Sequence, residues 1–239
     1  MDDKTLLLRC TQEMGLMLTE EQVDQFFLYR QLLLSWNEKM NLAAITDPTE
    51  GVLKHFADCL SLLPQAKLPQ GAKVIDVGTG AGFPGIPIKI ARPDLSLTLL
   101  DSLQKRITFL DEVVQSLGLT NVTLYHSRAE DGGRNPALRE QFDGCVARAV
   151  ASLPVLAEYC LPFLKVGGVF VALKGPDAQK EWQESQKALK VLGGGAGQVL
   201  PVQVPFTDLS HCLVVVKKTH QTPKTYPRKA GTAAKKPIQ

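Results

Sequence analysis

The sequence predicts an α/β fold: a doubly wound, seven-stranded, mostly parallel sheet of the Rossmann-like kind, with a small helical region ahead of it. Three observations predict it. From Gly71 onward, short apolar runs alternate with helical stretches, as βαβ units require. The apolar run Lys73–Val77 ends in glycines that feed a helix, which is how open α/β sheets begin a ligand crevice. The chain has 239 residues, 44% hydrophobic and 21% charged, enough for one such domain with an appendage.

Residues 1–66 read as a helical region packed on the core. Thr19 and Gln22 have capping-box spacing, in which each side chain satisfies the other residue's amide. Behind them Val23, Phe26, Phe27, Arg30, Leu33 and Leu34 recur at helical spacing, continuing to Trp36 and Met40. A further helix is expected to start at Asp47-Pro48, to turn Val52, His55, Phe56, Cys59, Leu60 and Leu63 inward, and to stop at Pro64. Residues 67–218 form the main domain. Its predicted strands are Lys73–Val77, Leu97–Leu100, Val122–Tyr125, Gly144–Ala147, Val169–Leu173, Gln198–Val204 and His211–Val216, the last two a hairpin at one edge. Helices are expected at Pro84–Ala91, Lys105–Leu117, Pro154–Phe163 and Asp177–Leu192, with Gly193-Gly194-Gly195 as a flexible turn. Residues 219–239 are a basic tail.

Composition excludes several classes. The acidic start Met1-Asp2-Asp3-Lys4 is unlike a secretory signal, and the most apolar stretch is interrupted by prolines, charges and Gly167-Gly168. The expectation is a cytoplasmic, monomeric protein with no membrane partner. Five scattered cysteines without a CxxC pair suit reduced, mostly buried thiols, and four unclustered histidines give no metal site. From Lys217 to the end there are seven basic residues and no acid, leaving 20 basic against 24 acidic in the rest. Such a tail suits either a polyanionic partner or simple solvation.

The chemistry concentrates in Val74–Gly85. Glycines at 78, 80 and 82 let the backbone turn sharply and approach a ligand, and the helix beyond offers unpaired amides. The third position of a dinucleotide GxGxxG is Phe83 here, and Asp76 precedes the glycines, giving D-x-G-x-G-x-G. That pattern resembles the class I methyltransferases, whose ligand carries an ammonium and a sulfonium rather than phosphates. Twenty-three residues after Gly78, Asp101 ends the second strand, where a carboxylate can accept ribose hydroxyls or else cap the following helix. Ala129 and Glu130 come after the third strand and Arg148 ends the fourth, so four strand ends converge on one crevice. The fourth strand lacks an Asn/Asp-Pro-Pro-Tyr motif, and no Pro-Cys or Thr-Cys pair supplies a nucleophile. The acceptor should therefore need no covalent help.

The whole chain resembles the bacterial ribosomal RNA small subunit methyltransferase G family, the glucose-inhibited division protein B. The resemblance rests on Trp36-Asn37-x-x-x-Asn41-Leu42, Lys54–Leu60, Asp76–Gly85, Leu100-Asp101-Ser102-x-x-Lys105-Arg106, Arg128-Ala129-Glu130, Ala147–Val150, Lys174-Gly175 and Tyr226–Thr232. It implies S-adenosyl-L-methionine as methyl donor and N7 of one guanine of 16S rRNA, guanine 527 in the family's rRNA numbering, as acceptor. The small ribosomal subunit is the implied partner. Cofactor contacts carry over to Gly78, Phe83, Ala129, Glu130 and Arg148; Asp76, Gly80, Gly82 and Asp101 join them from the residues themselves. Arg148 is expected to border both cofactor and base, with an ordinary ion pair as its alternative role. His55, Lys174, Tyr226 and Arg228 are the candidate RNA contacts, the last two by folding back over the cleft, and His55 has half-buried packing as its alternative role. A methyltransferase of another substrate, or a non-catalytic RNA-binding protein with a relic pocket, remains open on the sequence.

Overall fold

The computed structural model describes residues 2–40, 51–206 and 210–238. Seven strands form one sheet in the order β3-β2-β1-β4-β5-β7-β6. They are β1 (Lys73–Val77), β2 (Ser96–Asp101), β3 (Val122–His126), β4 (Phe142–Arg148), β5 (Leu164–Lys174), β6 (Gly194–Gln203) and β7 (Ser210–Lys218). The first five are parallel; β7 runs antiparallel to β5 and β6 antiparallel to β7. Chain order reverses beside β1, which pairs with β2 on one side and β4 on the other, and this is where open sheets leave a crevice.

The period-two alternation of strand side chains sorts the core into two layers. Val74, Leu97, Leu99 and Val146 share one face with Phe26, Tyr29, Ile86 and Phe109. Ile75, Val77, Cys145 and Ala147 share the other with Leu156, Phe163, Phe170 and Leu189. The first layer is covered by α1 (Asp3–Glu13), α2 (Glu20–Met40), α3 (Gly85–Ala91) and α4 (Gln104–Ser116). The second is covered by α5 (Leu153–Cys160) and α6 (Ala178–Val191). Among the described residues no helix is long and apolar enough to cross a membrane.

The capping box forms as the spacing predicts. Thr19 N donates to Gln22 Oε1 at 2.8 Å, and Gln22 N donates to Thr19 Oγ1 at 3.2 Å. Gln22 also donates through Nε2 to Ile90 O at 2.8 Å, tying the start of α2 to the end of α3. Four of the five cysteines are buried and Cys212 is half-buried, none in a disulfide.

Several boundaries differ from expectation. The helix start at Asp47-Pro48 lies outside the described residues. Beyond it a π-helical stretch, Val52–Ala57, runs into the short helical turn Asp58–Leu60. Pro64 ends nothing by itself: it sits in the first turn of the next short helix, Leu63–Ala66, where a missing N–H is tolerated. Gly194 and Gly195 belong to β6 rather than to a turn, because the edge strand begins directly after the left-handed Gly193 (φ 90°). The predicted helix Pro154–Phe163 divides into α5 and a 3₁₀ turn, Leu161–Phe163. The tail is packed against the domain and contains a short helical turn, Thr232–Lys235.

Candidate active site

The turn after β1 is held by side chains from both layers. Gly78 N and Thr79 N donate to Leu100 O at 2.8 and 3.1 Å, binding the turn to β2. Gly78 has φ 70°, and a Cβ there would lie 2.9 Å from Val150 Cγ2, so only glycine lets the turn close against the loop after β4. A Cβ on Gly82 (φ 102°) would meet Ile86, Leu110 and the Tyr29 hydroxyl, all within 2.9 Å. That hydroxyl donates to Ala81 O at 2.6 Å from a fully buried ring. Tyr29 on α2 therefore clamps the glycine turn.

Asp76 is fully buried beneath this turn. Its Oδ2 accepts from Thr79 Oγ1 at 2.6 Å and from Gly85 N at 2.8 Å, while Oδ1 has no hydrogen-bond partner among the described residues. Burial pushes its pKa up to about 7, against the downward pull of those two hydrogen bonds. The first amide of α3 is taken by Asp76, and Asp76 props the turn from inside because a buried carboxylate needs donors.

Asp101, at the tip of β2, is 2% exposed. Its Oδ2 accepts from Gly80 N at 2.9 Å and from Arg106 Nη1 at 3.2 Å, and its Oδ1 from Leu103 N at 2.9 Å. Gly80 is thus oriented through Asp101. Strand tips and loops enclose a hollow of about 470 Å³ whose lining includes Gly78, Asp101, Ala129, Glu130, Val150 and Tyr159. It brings together four predicted site residues. Asp76, Gly80, Gly82 and Phe83 are not part of its wall; they build the turn behind it.

Beside that hollow is a cationic and aromatic cluster. Phe83 is 5% exposed, with the His55 ring 5.1 Å from its own and Arg148 Cζ 4.7 Å above its centroid. Arg148 Nη1 donates to Asp58 Oδ2 at 3.1 Å, and Nη2 lies 3.2 Å from His55 Nδ1. A guanidinium only donates, so His55 Nδ1 is the acceptor and its ring carries the proton on Nε2. His211 Nε2 lies 3.0 Å from Asp58 Oδ1, near enough for an ion pair when protonated although not aligned as a hydrogen bond. A second hollow, about 320 Å³, lies between Asp58, Arg148, Ala149, Leu173, Lys174 and His211. The two hollows share Ala149, whose φ of 54° is rare for a residue with a Cβ. A larger hollow of about 660 Å³ opens at the opposite ends of β4 and β5, around Lys67, Asp143 and Gly168, and holds none of these residues.

The candidate RNA contacts are placed differently from one another. Lys174 Nζ pairs with Glu181 at 2.7 Å and donates to Ala151 O at 2.8 Å, so its charge secures the start of α5 while its side chain lines the smaller hollow. Arg228 grips Glu158 through Nε and Nη2 at 2.6–3.1 Å, with Tyr226 half-buried beside it. Sequence reasoning assigned no role to Tyr29, Asp58, Tyr159 or His211. Tyr29 lies on the Phe26–Leu33 stripe, and Asp58 lies within the Lys54–Leu60 motif; His211 and Tyr159 carry no local signal.

This arrangement accords with comparisons to known proteins. The family model for rRNA small subunit methyltransferase G (GidB) matches residues 22–205. A protein of Alkaliphilus metalliredigens called ribosomal RNA small subunit methyltransferase G is 53% identical over 239 residues, covering all of both chains. One of the same name from Desulforamulus reducens is 52% identical, again over the whole of both. The chain belongs to the rRNA small subunit methyltransferase G family. Solved structures support the fold of that family. A SAM-dependent methyltransferase from Aquifex aeolicus superposes with a TM-score of 0.52 at 24% identity, covering 72% of this chain and 93% of that one. A SAM-dependent O-methyltransferase from Thermotoga maritima gives 0.52 at 15%, covering 80% and 72%. The family match ends before the tail, whereas the two relatives align through it.

Proposed function

We propose that this chain transfers a methyl group from S-adenosyl-L-methionine to N7 of a guanine in 16S rRNA, guanine 527 in the family's rRNA numbering, with the small ribosomal subunit as substrate. The observation that carries the reading is the pair of hollows meeting at Ala149, one lined by nucleoside-binding chemistry and the other by Arg148. The residues present fit the donor. Gly78, Asp101, Ala129 and Glu130 line one hollow together, which puts a carboxylate at the tip of β2 beside the glycine turn. S-adenosyl-L-methionine, when bound, supplies an electrophilic methyl on a sulfonium and leaves as a neutral thioether.

Guanine N7 offers an in-plane lone pair and bears no proton, so the protein's work is alignment. The smaller hollow would receive the base, with the Arg148 guanidinium, whose Cζ lies 4.7 Å from the Phe83 centroid, as a platform for it. Unpaired RNA bases commonly stack on such planes. Asp58 fixes one edge of that guanidinium and His55 the other. The names of the full-length relatives support rRNA as the acceptor. The test is transfer of labelled methyl to small subunits that lack the modification, with the product nucleoside identified by mass. Recovery of 7-methylguanosine from 16S rRNA is expected; label on another nucleoside, or on protein, would replace this substrate assignment.

A further inference from the structure

The segment after β7 is fastened to the domain at successive points. Lys218 is fully buried, and its Nζ donates to Leu161 O and to Thr222 Oγ1, both at 2.6 Å. Arg139 donates to Tyr226 O at 2.8 Å and to Thr222 O at 2.7 Å. Arg134 Nε donates to Pro227 O at 2.8 Å. Glu158, 1% exposed, receives both the guanidinium of Arg228 and its backbone amide, the latter at 2.7 Å. Gly231 N then donates to Glu130 Oε1 at 2.8 Å, and Glu130 is itself 5% exposed. With φ 79° at Gly231 the chain turns into Thr232–Lys235, so that Gly231 and Ala234 line the 470 Å³ hollow.

We infer that residues 226–235 form the outer wall of the methyl-donor site, closing it over the nucleoside end and slowing ligand exchange. This rests on the reading of that hollow as the S-adenosyl-L-methionine site. Most of the hollow's lining comes from strand tips and the loops just after them, and such a floor covers a ligand from one side only. Tyr159, Gly231 and Ala234 supply covering from elsewhere in the chain. Ligand pockets bury most of a small ligand's surface, which a floor alone does not achieve. The Glu130–Gly231 hydrogen bond joins this wall to the loop after β3, next to Ala129. The Arg228 guanidinium is committed to a buried carboxylate, so its role is to anchor the wall.

Ala234 is exposed, so Ala234→Trp adds bulk at the hollow without disturbing the core. Calorimetry with S-adenosylhomocysteine on the full chain, without RNA, should show binding weakened by about tenfold or more. Arg228→Ala, which frees the wall while leaving the hollow's lining in place, should speed dissociation of the same ligand by about tenfold. Lys224→Ala, at an exposed position outside the wall, should leave both unchanged. Wild-type affinity in Ala234→Trp, or a loss confined to RNA binding, would overturn the inference while sparing the proposed function. If the unaltered chain binds no S-adenosyl compound, both readings fall together.

Discussion

Arg148 lines the smaller hollow, next to the residue Ala149 that both hollows share. Its guanidinium is held by Asp58 and His55 and lies over Phe83, so its plane is set before any ligand arrives. Asp58→Ala is expected to lower kcat for methyl transfer by about 10- to 100-fold, as a misaligned reacting group does. Affinity for S-adenosylhomocysteine should change little, since Asp58 lines only the smaller hollow. A kcat unchanged in a single-turnover assay would remove Asp58 from the positioning of Arg148. Asp76 makes a prediction about pH. Folding raises its pKa to about 7 by burial, from about 3.9 for an unfolded aspartate. The folded state therefore holds a proton that the unfolded state releases between those values. Its contribution to stability is greatest below about pH 4 and is lost as the pH rises through about 7. Asp76→Asn should fold and show a flatter Tm across pH 5 to 8 than the unaltered chain.

At the scale of elements, the N-terminal helices support the site directly. The rings of Tyr29, Phe56 and Phe83 form a continuous cluster from α2 to the glycine turn, with centroids 5.5–6.3 Å apart. Tyr29→Phe keeps the ring but leaves Ala81 O without its donor. It should cost about 1–2 kcal/mol in denaturant unfolding and weaken donor binding, because the turn loses its clamp. The opposite result, unchanged stability and affinity, would mean that the ring packing alone fixes the turn. Much of this level was legible in the sequence. The capping box and the alternating runs specify local hydrogen bonding and periodicity, and both formed where they were expected. Tyr29 escaped notice because a tyrosine on an apolar stripe reads as core until its hydroxyl has a partner. Gly194 and Gly195 were misread because a glycine run has the same local signal in a turn and in an edge strand. Pairing with β7 decides between them.

Considered whole, the molecule carries its positive charge on a segment that is folded rather than trailing. Arg228 and Lys218 are drawn inward by Glu158 and Glu140, whereas Lys229, Lys235 and Lys236 remain exposed. If these three meet phosphates, replacing all of them with alanine should reduce the salt slope of rRNA binding by about 2, at roughly 0.7 per contact on single strands. An unaltered slope would assign phosphate binding to another surface.

The sequence by itself determined the sheet, the glycine turn, the acidic tips of β1 and β2, and the likeness to a family. Each of these is written in neighbouring residues, through periodicity, backbone freedom or a short motif. The tertiary structure alone decided what those groups touch. Asp76 faces inward, where Thr79 and the first amide of α3 donate to it. Asp58 meets Arg148 across 90 residues of chain, Arg228 meets Glu158 across 70, and Gly231 meets Glu130 across 101. No local pattern encodes pairings at such separations. They arise when the sheet brings the strand tips to one edge and buried charges take the nearest partner of opposite sign or the nearest free donor.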